Sequence, residues 1–122
     1  MVDDVNGAVR NPPARMVVGI SGASGAIYGA RVLDALNDLG VESHLVVTRA
    51  ALLTLSQETD LSADALSAKA TVTHKLADVG ATIASGSFRT MGMIVAPCSV
   101  KTMSEIATGV TSSLLTRGAD VT

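Results

Sequence analysis

At 122 residues, the chain is long enough for one domain with a buried core. Hydrophobic residues make up 48% of it and aromatics 2%, so that core must be built from Ala, Val, Leu, Ile and Met. A formal charge of -2 with scattered Lys and Arg excludes a basic nucleic-acid face, and no apolar run approaches the roughly 20 residues of a membrane-spanning helix.

Residues 1–15 are polar, contain Asn11-Pro12-Pro13 and show neither helical nor strand periodicity, which predicts a mobile tail ahead of one domain over 16–122. Two acids and no apolar segment in the first ten residues argue against a signal peptide. From Met16 to Ala26 the sequence MVVGISGASGA starts as a short apolar strand and breaks into glycine and serine where a helical pattern takes over. Its Gly19, Gly22 and Gly25 spacing differs from the dinucleotide fingerprint, and no Lys follows the glycines as a P-loop requires. A mononucleotide or other small phosphate at the free amides of the new helix fits the loop, as does a plain tight connection.

Ile27 to Leu39 carries Val32, Leu33, Leu36 and Leu39 at helical spacing and ends at Gly40, a helix stop. Glu42 to Thr48 reads as a second strand, with Thr48 at its carboxyl end and a helix through Ala50 to Ser56 behind it. Gln57 to Asp60 reads as polar punctuation, Leu61 to Lys69 as a short helix capped by Ser62, and Thr71 to His74 as an edge strand. His44 and His74 have no Cys, Asp or Glu cluster at ligand spacing around them, so neither receives a role and no metal site is expected. The Gly- and Ser-rich stretch from Ala77 to Thr90, with the single Phe88, suits a cover over a flat ligand or a surface connection equally.

Met91 to Ala96 is the third clear strand, followed by Pro97-Cys98-Ser99 and a helix over Val100 to Thr108 with Ser99 as its cap. Gly109 ends that helix and Thr111 to Asp120 resumes the pattern. Cys98 has no visible base and reads as an inert core thiol; a lone cysteine also suits a reducing cytoplasm. Strands each followed by a helix predict a parallel sheet with right-handed crossovers, which brings Ser24, Thr48 and Ser99 to one edge, where open sheets of this kind bind ligands.

The motifs GISGASGAIYG, Glu58-Thr59-Asp60, SGSF, PCSVKT and LLTRGADV occur together and in order, and with them the chain resembles the UbiX-type flavin prenyltransferases. The resemblance implies a three-layer flavodoxin-like or Rossmann-like α/β fold, a parallel sheet with helices on both faces, shortened here at its C-terminal end. It implies FMN as bound flavin and substrate, dimethylallyl phosphate as co-substrate, and transfer of the dimethylallyl group to flavin N5 and C6. Prenylated FMN then serves a UbiD-type decarboxylase. By position, Gly22, Ala23 and Ser24 match one FMN segment, Thr48 stands where the family usually has Ser, and Ser99, Val100, Lys101 and Thr102 match another. Glu58 matches the active-site glutamate, so Glu58 and Ser24 are the expected catalytic residues.

The same resemblance implies a cytoplasmic homo-oligomer, a dodecamer when the fold is complete. Family members continue past the equivalent of Asp120 with the groups that hold the prenyl phosphate, so the expectation for this chain alone is weak or absent turnover. Two other functions suit the fold: a flavin-dependent cysteine decarboxylase, whose P-A-S-A-N-T segment reads PCSVKT here, and a noncatalytic flavin-binding module.

Overall fold

The computed structural model describes residues 14–75, 89–109, 115 and 119. Chain order is β1 (Arg15–Ile20), α1 (Ala26–Asp38), β2 (Glu42–Val47), α2 (Arg49–Glu58), α3 (Ala63–Ala68), β3 (Val72–His74), β4 (Met93–Val95) and α4 (Val100–Thr108). The strands form one parallel sheet in the order β3-β2-β1-β4. The chain therefore winds outward from β1 to β3 and then crosses back to the other side of β1. That reversal between β1 and β4 is the point where sheets of this class open a ligand crevice.

The apolar side chains divide between the two faces of the sheet as strand alternation requires. Val18, Ile20 and Leu45 point to one face and pack with Ala26, Ala30, Leu33 and Leu36 of α1, with Ala51 and Leu55 of α2 and with Leu66 of α3. Val17 and Val46 point to the other, where Ile106 of α4 and Leu115 cover them. Helices thus lie on both faces. Full burial of each Leu or Ile contributes on the order of 1.5–3 kcal/mol before the entropy of ordering it is counted.

Helix ends follow local sequence. Thr48, Ser62 and Ser99 are extended N-caps whose hydroxyls accept from Ala51, Ala65 and Thr102 amides. At the end of α1, Gly40 takes φ 70, and the amides of Gly40 and Val41 close on the carbonyls of Asn37 and Leu36, a paired C-terminal cap.

Several expectations change. β1 begins one residue early, at Arg15, and β4 is only three residues long because Gly92 at φ 147 interrupts the extended run. Gln57 and Glu58 belong to the last turn of α2, not to a turn; the helix stops at Thr59, which is extended at φ -137. Cys98 is exposed rather than in the core. His44 is buried and bonded to Glu42 at 2.8 Å and to His74 at 3.0 Å, in line with a hydrogen-bonded reading of both. Of the tail expected over 1–15, Arg15 belongs to β1, and residues 1–13, the Phe88 stretch and most of the helix over 111–120 lie outside the described residues, with Leu115 and Ala119 both helical. Among the described residues no helix is long and apolar enough to cross a membrane, and no cluster could hold a metal ion.

Candidate functional site

Parallel register places the carboxyl ends of β1, β2 and β4 side by side. Ile20 pairs with Val47, the Thr48 amide donates to the Ile20 carbonyl at 3.0 Å, and the Ala96 amide donates to Gly19 at 2.9 Å. The three loops that leave these ends meet at residues 21–26.

Gly22 makes the first junction. A Cβ on it would lie 2.4 Å from the Cβ of Ala50, so the loop after β1 can approach the first turn of α2 only because that position has no side chain.

Ser21 makes the second. It is fully buried; its hydroxyl donates to the Pro97 carbonyl at 2.8 Å and accepts from the Ser99 amide at 2.6 Å, while its amide also donates to Pro97 at 3.1 Å. The loop after β1 and the Pro97-Cys98-Ser99 loop are therefore one unit. Nothing local in the sequence marks this clamp, because the partners of Ser21 lie 76 and 78 residues away. Ser21→Ala is expected to destabilise the chain by about 1–3 kcal/mol, the cost of leaving the Ser99 amide without a partner, as measured by urea unfolding.

Glu58 makes the third. From the end of α2 its Oε1 accepts from the Gly25 amide at 2.9 Å and the Ala26 amide at 3.3 Å, and its Oε2 accepts from the Ser24 hydroxyl at 2.8 Å. The N-cap of α1, Gly25 at φ 98, offers no side chain, so a carboxylate from another helix does the capping. The Gly25 amide and then the Ser24 hydroxyl hold the Glu58 carboxyl below the usual glutamate range, with the Ala26 amide adding to them and partial desolvation opposing. At neutral pH Glu58 is an anion that only accepts. Ser24, whose proton is engaged in that bond, keeps both oxygen lone pairs for accepting.

This arrangement revises the first expectation for the glycine loop. The helix N-terminus proposed there as a seat for phosphate is filled by the protein's own carboxylate. Open donors lie instead at the starts of α2 and α4. Thr48 and Ser99 each satisfy one amide of their helices, and the amides of Arg49, Ala50, Val100 and Lys101 have no partner among the described residues. Lys101 is 84% exposed, with Glu105 at 3.5 Å as its ion-pair partner. Thr102 is buried and takes a hydrogen bond from the Ser99 hydroxyl at 3.0 Å, so it holds Ser99 rather than facing solvent. Cys98 is exposed beside this loop, and the burial it has raises its thiol pKa, so it is a poor nucleophile.

Ser24, Glu58, Gly22, Ala23, Thr48, Ser99, Val100 and Lys101 thus lie along one edge of the sheet. The donor set fits a phosphate monoester: the open amides of two helix starts, the Thr48 and Ser99 hydroxyls beside them, and the Lys101 cation, which Glu105 accompanies at 3.5 Å.

The Flavoprotein family model matches residues 6–122. The flavin prenyltransferase UbiX of Thauera aromatica is 56% identical over 107 residues, covering 88% of this chain and 55% of that protein. Among solved structures, AnUbiX (PadA1) in complex with FMN and dimethylallyl pyrophosphate superposes with a TM-score of 0.89 at 44% identity, covering 90% of this chain and 58% of that one. A dodecameric FMN-dependent UbiX-like decarboxylase from Escherichia coli O157:H7 gives a TM-score of 0.86 at 47% identity, over 88% of this chain and 58% of that one. The chain spans a little over half the length of these relatives.

Proposed function

Because this chain belongs to the Flavoprotein family, we propose that its strand-end site binds FMN and carries the flavin half of a prenyl transfer from dimethylallyl phosphate. The observation that carries the reading is the meeting of three loops at residues 21–26, with Glu58 consuming one helix N-terminus and leaving two open. The phosphate tail goes to the amides that open α2 and α4, with the Thr48 and Ser99 hydroxyls and the Lys101 ammonium beside them. Gly22 and Ala23 give close backbone approach. Thr102 keeps Ser99 in place.

The flavin supplies the nucleophilic ring atoms that accept the prenyl group. What the chain supplies is orientation and a proton acceptor. Ser24 presents an oxygen that donates its own proton in a hydrogen bond to Glu58 Oε2, and Glu58 is ionised at neutral pH, so a proton taken up by the Ser24 oxygen is matched by transfer of the Ser24 proton to Glu58. Loops sealed by Ser21 and Gly22 keep the backbone from shifting as charge develops.

The reading extends to prenylated FMN as product, a UbiD-type decarboxylase as its recipient, a cytoplasmic setting and assembly into a homo-oligomer. Support for the last is the dodecamer of the E. coli O157:H7 relative. Flavin binding and transfer are read separately. Titration with FMN is expected to give a bound yellow chromophore, and reduced FMN with dimethylallyl phosphate at most slow formation of a flavin heavier by one prenyl group on mass spectrometry. A chain that stays colourless at millimolar FMN rejects the site; one that binds FMN without transfer is the flavin-binding module alone.

A further inference from the structure

A cavity of about 440 Å3 lies to one side of the flavin site, between the first turn of α2, α3 and the carboxyl ends of β2 and β3. That volume suits a small molecule. Its lining is largely apolar, with Val47, Leu52, Ala63 and Leu66 among the residues that form it. Among the described residues its ionisable lining is Arg49, His74 and Lys75, with no carboxylate.

The charge is the informative part. The chain as a whole carries -2, yet this cavity gathers two permanent cations on one rim. Among the described residues neither Arg49 nor Lys75 enters an ion pair, whereas Lys69 at the end of α3 is taken up by Asp34 at 2.8 Å. An apolar floor alone would take any oily group. A floor with two cations at its edge, neither in an ion pair among the described residues, discriminates by charge, because a cationic ligand is repelled there and an anionic one gains two charge-assisted contacts.

We propose that this cavity binds a small amphiphilic anion, a carboxylate or phosphate ester on a short apolar tail. The tail lies over Leu52 and Leu66 and the head group meets Arg49 and Lys75. The site uses the side chain of Arg49, whereas the flavin site takes only its backbone amide, and it does not depend on that reading. It follows Thr48 by one residue, so competition with FMN is part of its test.

Calorimetric titration of the 122-residue chain with hexanoate, hexyl phosphate and hexylamine uses one tail and three heads. Both anions are expected to bind at least tenfold more tightly than the amine, whether or not FMN is saturating, and their order identifies the preferred head group. Arg49→Gln with Lys75→Gln is expected to weaken both anions about tenfold or more, and Ala63→Phe, which fills the cavity without touching a charge, to abolish all binding. Circular dichroism reports whether each variant is folded, and the anion-to-amine ratio of the parent chain stands without them. Equal binding of the amine, no binding of either anion, displacement by FMN, or an unchanged affinity in the folded double variant overturns the proposal.

Discussion

Replacing Glu58 by glutamine is expected to cut prenyl transfer by about 100-fold or more while FMN affinity changes by only a few-fold. The two readouts separate because the carboxylate touches the loop and Ser24, whereas the donors assigned to the phosphate are at α2 and α4. A glutamine retains an oxygen for the Gly25 amide, so the cap of α1 survives in weakened form. What it loses is the charge: a neutral amide is no proton acceptor at neutral pH, and its NH2 group can only donate to the Ser24 oxygen, reversing the bond in which Ser24 now donates at 2.8 Å. Prenylated flavin formation and FMN titration on the same preparations test this. Equal transfer by the variant would show that Glu58 only caps.

The same hydrogen bonds give a pH dependence with a fixed sign. Glu58 has a folded pKa below its ordinary value of 4.5, through the Gly25 amide first and the Ser24 hydroxyl second. A depressed carboxylate contributes stability that is fully present above the ordinary value and is lost as pH falls through the depressed one. The Gly25 and Ala26 amides should therefore stay protected from hydrogen exchange at neutral pH and lose protection in acid. In Glu58→Gln that acid-induced loss is expected to disappear.

Sequence made the local features legible and left the long-range ones hidden. Thr48, Ser62 and Ser99 each bond an amide three residues on, so their capping role needs only a hydroxyl before a periodic run. The parallel strands, and with them the shared edge, follow from three apolar runs separated by helices. The Glu58 cap is different in kind. Its partners are 32 to 34 residues away, and the reading of Gln57 to Asp60 as punctuation hid the fact that glutamine and glutamate favour a helix. Only the family resemblance pointed to Glu58, and it said nothing of the amides. Cys98 was misplaced for a related reason: an apolar residue between a strand and a cap is exposed when the loop turns outward there.

Gly29→Ala is expected to destabilise the chain by about 2 kcal/mol, although helix propensity alone argues for a gain. Within a helix Ala is better than Gly by about 1 kcal/mol, and α1 is otherwise regular through this position. Against that, a Cβ at Gly29 would stand 2.5 Å from Ile20 Cδ1 and 2.6 Å from the Ala96 carbonyl oxygen. The Ile20 methyl could move. The carbonyl is backbone, one residue before the Pro97 that Ser21 clamps, and moving it drags the loop that carries Ser99. Overpacking of this sort costs about 1–3 kcal/mol and more where backbone must shift, which outweighs the propensity gain. For a domain of this size the loss lowers the melting temperature by roughly 10 °C. FMN affinity should fall with it, since Ala96 and Ser99 are joined by three peptide bonds and share the displacement. A variant with raised melting temperature would mean that α1 does not sit against β1 and β4 as closely as Gly29 allows, and the geometry of the whole strand-end site would have to be redrawn.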